Sequence, residues 1–224
     1  MSAAMDETGS TDVAATLAGA YPFVEAAVIR KIVADCEPPT AGDETGDRAW
    51  ETLTGQVLAD PVTARAMSAA TSIAGVADLS RAVARRHLFA DGVTFVLRDG
   101  DQCFYAAEDS IAPLWPGQRF PIGECISGWA MLNNQPAVID DINLDERIPQ
   151  AAYRATYVRS LLMVPVMGPT KPAAAIGVYW PQVGRAGQAD LNWLLGLAAA
   201  TSSAIARIGL ADAPWAPTFR VLAS

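Results

Sequence analysis

Residues 119–141 constrain this chain more than any other stretch. Pro121 fixes its own φ and drives Phe120 out of the helical region, so the stretch begins extended. Gly123 can end that strand. Glu124 then falls in the first turn of a helix, where a carboxylate suits the dipole. Ile126, Trp129, Met131 and Leu132 predict an apolar face at helical spacing, and Gly128 lets a backbone or a ligand approach closely. Asn133 and Asn134 tolerate the left-handed position that closes a helix, and Pro136 keeps it from continuing. Residues 137–139 read as a short buried strand that delivers Asp140 and Asp141 to its end. The prediction is strand–helix–strand, with the helix lying across a sheet where it can roof a pocket.

Around this unit the chain reads as α+β, with five or six strands in an antiparallel sheet and flanking helices. Residues 1–58 form a helical N-terminal extension, with an acidic Pro/Gly linker at 37–47. Residues 59–210 form the main domain and 211–224 an irregular tail. Asp60 and Pro61 supply an N-cap and a first-turn proline for a helix predicted to run to His87. Its stripe of Val62, Ala66, Ala69, Ile73, Val76, Ser80, Val83 and His87 alternates spacings of four and three, as in helices that pack along another helix. A second uncharged stripe holds Met67, Ala70, Ala74 and Ala77. Residues 92–98 and 102–107 alternate as strands about an Asp99-Gly100 turn signal, which puts Cys103 and Tyr105 on one face and Phe104 on the other. Residues 111–115 read as a short turn or helix, and 150–157 as a short helix. Strands follow at 160–167, bent or near an edge at Pro165, and at 173–180. Residues 187–209 close the domain as a helix with Leu191, Leu194, Ala198, Ile205 and Ile208 inward.

Several functions are disfavoured by composition. The net charge is −8 and only two lysines occur, Lys31 and Lys171, so the surface repels a phosphate backbone and no nucleic-acid partner is expected. The acidic N-terminus lacks the order of a secretion signal, and the uncharged run at 191–206 is short for a membrane span. The expectation is a cytoplasmic protein with no membrane partner. Three cysteines without Cys-x-x-Cys spacing argue against structural zinc and a disulfide framework, and a single histidine makes a Ser-His-Asp triad improbable. No Gly-rich phosphate motif occurs.

Phe120-Pro121-Ile122-Gly123, Ile126-Ser127-Gly128-Trp129-Ala130, and residues 136–142 resemble a GAF domain, as do Arg147-Ile148-Pro149, Tyr153-Arg154 and residues 160–166. The nearest resemblance is to the sensory modules of bacterial histidine kinases, and it covers roughly residues 61–209. It implies a ligand held between the sheet and a roof of helix and loop. Trp115, Phe120, Ile126, Trp129, Tyr153, Arg154 and Tyr157 belong to the expected site, with Cys103 and Tyr105 from the sheet and Asp140 from the end of the short strand. No cofactor is named by these residues.

The family also includes enzymes. Those that reduce free methionine sulfoxide resemble residues 122–128, but their helix cysteine falls at Ser127 and their loop cysteine has no counterpart in 140–158. The Cys-His pair of bilin photoreceptors is missing from 143–158. Asn143, Asp145 and Glu146 echo a cyclic-nucleotide signature that otherwise needs Lys and Phe. His87 is expected to cap or pack, and Asp140, Asp141, Asp145 and Glu146 to solvate or cap their loop. Cys103 and Cys125 are expected to be buried small hydrophobes. The expected function is therefore a non-catalytic sensor of a small molecule that signals through its flanking helices to a partner protein. The alternatives are a cysteine-dependent reductase using Cys103 and Cys125, or a ligand-free dimerisation scaffold. A parallel homodimer through helices 61–87 and 187–209 is implied by the resemblance, with Ala69, Ile73 and Val76 near the two-fold axis. Alternatively, residues 22–36 cover that face within one chain.

Overall fold

The computed structural model of the protein describes residues 61–168 and 170–208. The expectations for residues 1–58, the Asp60 cap and the 211–224 tail lie outside the described residues. The hairpin forms as the turn chemistry predicts, from β1 (Gly92–Asp99) and β2 (Gln102–Ser110). Its loop is one residue later than the signal: Asp99 pairs with Gln102, and Gly100 alone takes a positive φ, 61°. That is the type II′ pattern, with glycine at the first central position.

Six strands form one antiparallel sheet in the order β3-β2-β1-β6-β5-β4, completed by β3 (Arg119–Pro121), β4 (Ala137–Ile139), β5 (Ser160–Met167) and β6 (Pro172–Trp180). Pro165 pairs with Ala175 of β6, beyond the point where β4 stops pairing at Met163. Its missing N–H is therefore no loss, as expected for proline on a locally open edge. The β1–β2 register shifts between Phe95 and Val96, which leaves Ala106 as the extra residue of a bulge.

Alternation along the strands builds two separate cores. On one face Val93, Phe95, Leu97, Phe104, Leu162, Val164 and Ile176 pack against the terminal helices. On the other, Val96, Cys103, Tyr105, Leu161, Met163, Ala175 and Tyr179 lie beneath the roof. Cys103 and Tyr105 thus share a face that Phe104 does not.

The helix expected from 61 to 87 is two helices, α1 (Pro61–Ala69) and α2 (Ile73–His87). Ser72 interrupts them: its backbone is extended and its Oγ accepts from Gly75 N at 3.1 Å, so it caps a new helix. A four-three stripe presumes one unbroken helix, and this break scatters it. Ala69 and His87 are exposed, whereas Val76, Ser80 and Val83 are buried. Val76 is fully buried inside the single chain, so it is not free to lie on a two-fold axis. The closing helix α5 (Gln188–Ile208) turns Trp193, Leu194, Leu197, Ala198 and Ile205 inward. A buried Ser80–Thr201 hydroxyl pair at 2.9 Å joins it to α2. It is longer than its uncharged run suggested and reaches the length and mean hydropathy of a membrane span, yet more than half of it is buried in the domain, as in any core helix.

Candidate functional site

The roof begins at β3 and a 3-10 turn, Ile122–Glu124, and continues as α3 (Ile126–Asn133). Glu124 therefore sits in the turn before the helix, and Cys125, with extended backbone, is the helix N-cap. Gly128 is required here, because a Cβ would run into the Ile122 carbonyl that packs against it. Asn134, at φ 48°, closes the helix in the left-handed conformation. The buried face is narrower than predicted. Ile126, Ala130 and Met131 are buried, but Leu132 is 52% exposed and Trp129 only half-buried. An eight-residue helix lying flat on a sheet can turn only one side to it, and Leu132 lies on the other. Trp129 instead forms the rim. The Arg147 guanidinium lies 4.6 Å from its ring centroid while its Nε donates to Asp145 Oδ1 at 2.9 Å.

Beneath the rim, Tyr105, Trp115, Phe120, Cys125, Pro149, Ala152 and Tyr153 surround a chamber of about 10 Å³, room for one water at most. Aromatic edges line it. Trp115 meets Tyr153 at 4.7 Å, Tyr105 at 5.4 Å and Tyr179 at 6.0 Å between centroids. Trp115 lies in a loop rather than the predicted turn or helix, and its main chain is held by Glu108. Tyr153 ends α4 (Gln150–Tyr153), which stops four residues short of expectation because the Tyr153 carbonyl accepts from the Thr156 amide and hydroxyl.

Polar groups converge under this apolar roof. Tyr179 and Thr94 hydroxyls pair at 2.9 Å, Tyr105 and Ser127 hydroxyls at 3.2 Å, and Ser127 Oγ meets Cys125 Sγ at 3.2 Å. The nearby Cys103 thiol, aided by the Ser127 hydroxyl and the Ser127 and Gly128 amides, outweighs burial and draws the Cys125 thiol below its ordinary value. The neighbouring Cys125 thiol, with burial, pushes Cys103 upward. Burial also raises Tyr105, Tyr153 and Tyr179. The Tyr153 hydroxyl is buried without a hydrogen bond of acceptable geometry, although the Tyr179 hydroxyl lies close.

Of the residues expected to line a site, Tyr105, Trp115, Phe120 and Tyr153 meet around the chamber, and Cys103 and Ile126 belong to the same buried cluster. Three others lie apart. Tyr157 packs at the cluster's edge and bonds Ser110 Oγ at 2.7 Å. Asp140 is exposed, and its carbonyl accepts from Gly184 N at 2.8 Å. Arg154 is exposed in a groove of about 320 Å³ beside Asn143 and Arg159, on the other side of Tyr153, which lines both spaces. Ser127, Tyr179, Thr94 and Glu108 were missed. Gly177 was the available signal for two of them, since glycine within a buried strand marks close approach. A Cβ there would meet the Tyr179 hydroxyl, and Thr94 Oγ1 at 2.8 Å. The acidic loop serves itself: Asp141 accepts from Asn143 N at 3.0 Å and Asp145 pairs with Arg147, and these bonds hold both carboxyls low. His87 stacks on Trp193 at 4.0 Å.

An antiparallel six-stranded sheet, with terminal helices on one face and a helix-and-loop roof over an aromatic chamber on the other, defines an α+β module of the roofed-sheet type. The chain belongs to the GAF domain family, whose model matches residues 70–206. No curated protein matches the sequence. Among solved structures, it is similar to the GAF domain of an Acinetobacter phosphoenolpyruvate-protein phosphotransferase (18% identity, 69% of this chain and 94% of that one, TM-score 0.58). It is also similar to the free methionine-R-sulfoxide reductase of Neisseria meningitidis in complex with its substrate (19%, 77% and 96%, TM-score 0.58). A third likeness is to residues 122 to 287 of a methyl-accepting chemotaxis protein (19%, 67% and 97%, TM-score 0.57). Domains of a phosphotransferase and of a chemotaxis protein therefore share this fold with a sulfoxide reductase, and at such identities the likeness is one of fold alone.

Proposed function

We propose that this chain is a non-catalytic, cytoplasmic sensory module that takes a small molecule beneath its roof. The Tyr153 hydroxyl carries the reading. A buried hydroxyl without a partner costs on the order of 1–3 kcal/mol, and a ligand offering one polar atom would recover it. The surroundings suit such a ligand: aromatic walls with a few convergent hydroxyls and thiols are how small-molecule sites are built. A ligand larger than a water needs more room, which an outward movement of Tyr153 and the single-turn α4 would supply. The movement would reach α1, α2 and α5 through the sheet they pack on, and from them a partner protein or a second copy of the chain. Native mass spectrometry of the freshly purified full chain tests this. A co-purifying small molecule, retained by wild type and lost from Tyr153→Phe, is the expected result. Apo mass in every preparation would oppose it.

The chamber's size favours a second reading, a ligand-free scaffold whose aromatic residues simply fill the space. Under that reading Tyr153→Phe changes no bound mass, and no small molecule shifts the melting temperature.

A further inference from the structure

We propose that the groove beside α4 is a second binding site, which takes a small molecule bearing a phosphate group between the guanidiniums of Arg154 and Arg159. It stands whether or not the chamber admits a ligand.

Both arginines line this groove of about 320 Å³, and no carboxylate lines it with them. Local hydrogen bonds bring them there. The Thr156 hydroxyl donates to the Tyr153 carbonyl at 2.8 Å and accepts from Val158 N at 3.3 Å, which turns the chain between Arg154 and Arg159. The main chain of Arg159 is fixed on two sides. Its N–H donates to the Trp180 carbonyl at 2.8 Å, and its carbonyl accepts from Ile142 N at 2.9 Å. Gln150 Nε2 donates to the Ile142 carbonyl at 2.6 Å and fastens α4 to the loop after β4. The walls of the groove are therefore held before a ligand arrives, which lowers the cost of binding.

The two guanidiniums keep donors to spare. Arg81, Arg85, Arg119, Arg147 and Arg185 each have a carboxylate oxygen within 3.5 Å. The Arg154 side chain makes no hydrogen bond or ion pair among the described residues. Arg159 has one long contact, from Nη2 to Asp141 Oδ2 at 3.5 Å, while the other Asp141 oxygen serves Asn143. The chain has 24 acidic side chains to 16 lysines and arginines. Counter-charge is thus plentiful in the protein, yet this groove lacks it.

The donors select the ligand. Each guanidinium presents a planar fork of N–H groups that matches the oxygens of an oxyanion. A phosphate monoester carries about two negative charges and three acceptor oxygens, enough to meet both forks at once. A carboxylate carries one charge and two oxygens, which a single fork satisfies. Size and charge exclude a polymer: the groove is at the small end of small-molecule sites, and a net charge of −8 repels a polyanion. A bridging phosphate would tie Arg154, at the end of α4, to Arg159, directly before β5.

The test is a titration of the ¹⁵N-labelled full-length chain with sodium phosphate at neutral pH, with chloride holding the ionic strength constant. Saturable amide shifts confined to 142–143 and 150–159 are expected, and glycerol phosphate should reproduce them. Arg154→Gln and Arg159→Gln should each weaken the phosphate midpoint about tenfold, as for a lost charge-assisted hydrogen bond. Both side chains are exposed, so the amide spectrum away from the groove should not change. Acetate saturating the same amides at the same concentration would overturn the choice of phosphate. Shifts that never saturate, that scatter over the surface, or that persist undiminished in the variants would overturn the site. Should one variant unfold, the wild-type titration and the other variant decide.

Discussion

Glu108 holds Trp115 in place: its carboxylate accepts from Trp115 N at 2.9 Å and, with the other oxygen, from Leu114 N at 2.8 Å. Trp115 in turn closes the chamber against Tyr105 and Tyr153. Burial pushes the Glu108 carboxyl above its ordinary 4.5, against the pull of those two amides. The folded protein then binds this proton more tightly than the unfolded chain. Glu108 thus contributes stability at low pH that is lost as pH rises from 4.5 through the folded value. Melting curves across that range should show this downward component in wild type and lack it in Glu108→Gln. Identical pH profiles for the two proteins would refute it.

Gly177 leaves the space that the Tyr179 and Thr94 hydroxyls occupy. Gly177→Ala should destabilise the protein by about 1–3 kcal/mol through overpacking, read as a lower urea midpoint. An unchanged midpoint would mean that the floor of the site is not packed as described.

Removing the unpartnered hydroxyl should help the empty protein. We expect Tyr153→Phe to stabilise it by about 1 kcal/mol, in contrast to the usual sign for a change to a buried side chain. Destabilisation of similar size would show that the hydroxyl has found a partner, and would remove the main support for the proposed ligand.

Trp129 was expected from the sequence to behave as a core residue, whose truncation costs about 3–5 kcal/mol. Its place on the rim, half-buried beneath Arg147, lowers the expected loss for Trp129→Ala to about 1–2 kcal/mol. Chemical denaturation separates these values directly.

The proposed pairing of two copies through the terminal helices can be probed at Ala69, which is exposed at the end of α1. Light scattering at micromolar concentration should find a dimer in wild type and a soluble monomer in Ala69→Glu. A monomeric wild type ends the idea.

Which of these features could be read from the chain follows the range over which each cause acts. Asp99-Gly100, Pro121, Asn134 and Pro136 act within a residue or two, so the hairpin, the start of the roof and the end of α3 were all predictable. Alternation likewise assigned Cys103 and Tyr105 to one face and Phe104 to the other. The break before α2 was missed although its cause is local, because Ser72 lies inside a pattern that also suits one long helix.

By itself, then, the sequence determined the α+β class, the strand–helix–strand roof and the faces of the strands, since turn chemistry and period-two alternation are properties of neighbouring residues. Only the tertiary structure decided which residues meet across that face. Tyr153 reaches the cluster from the end of the short helix α4, and Trp115 is held by a carboxylate seven residues earlier. Cys103 and Cys125 share one buried cluster because β2 and the start of α3 pack on the same face. Such contacts depend on the register of strands, on one bulge at Ala106 and on how a short helix turns its narrow face to the sheet. Alternation states on which side a residue lies, but not what stands opposite it.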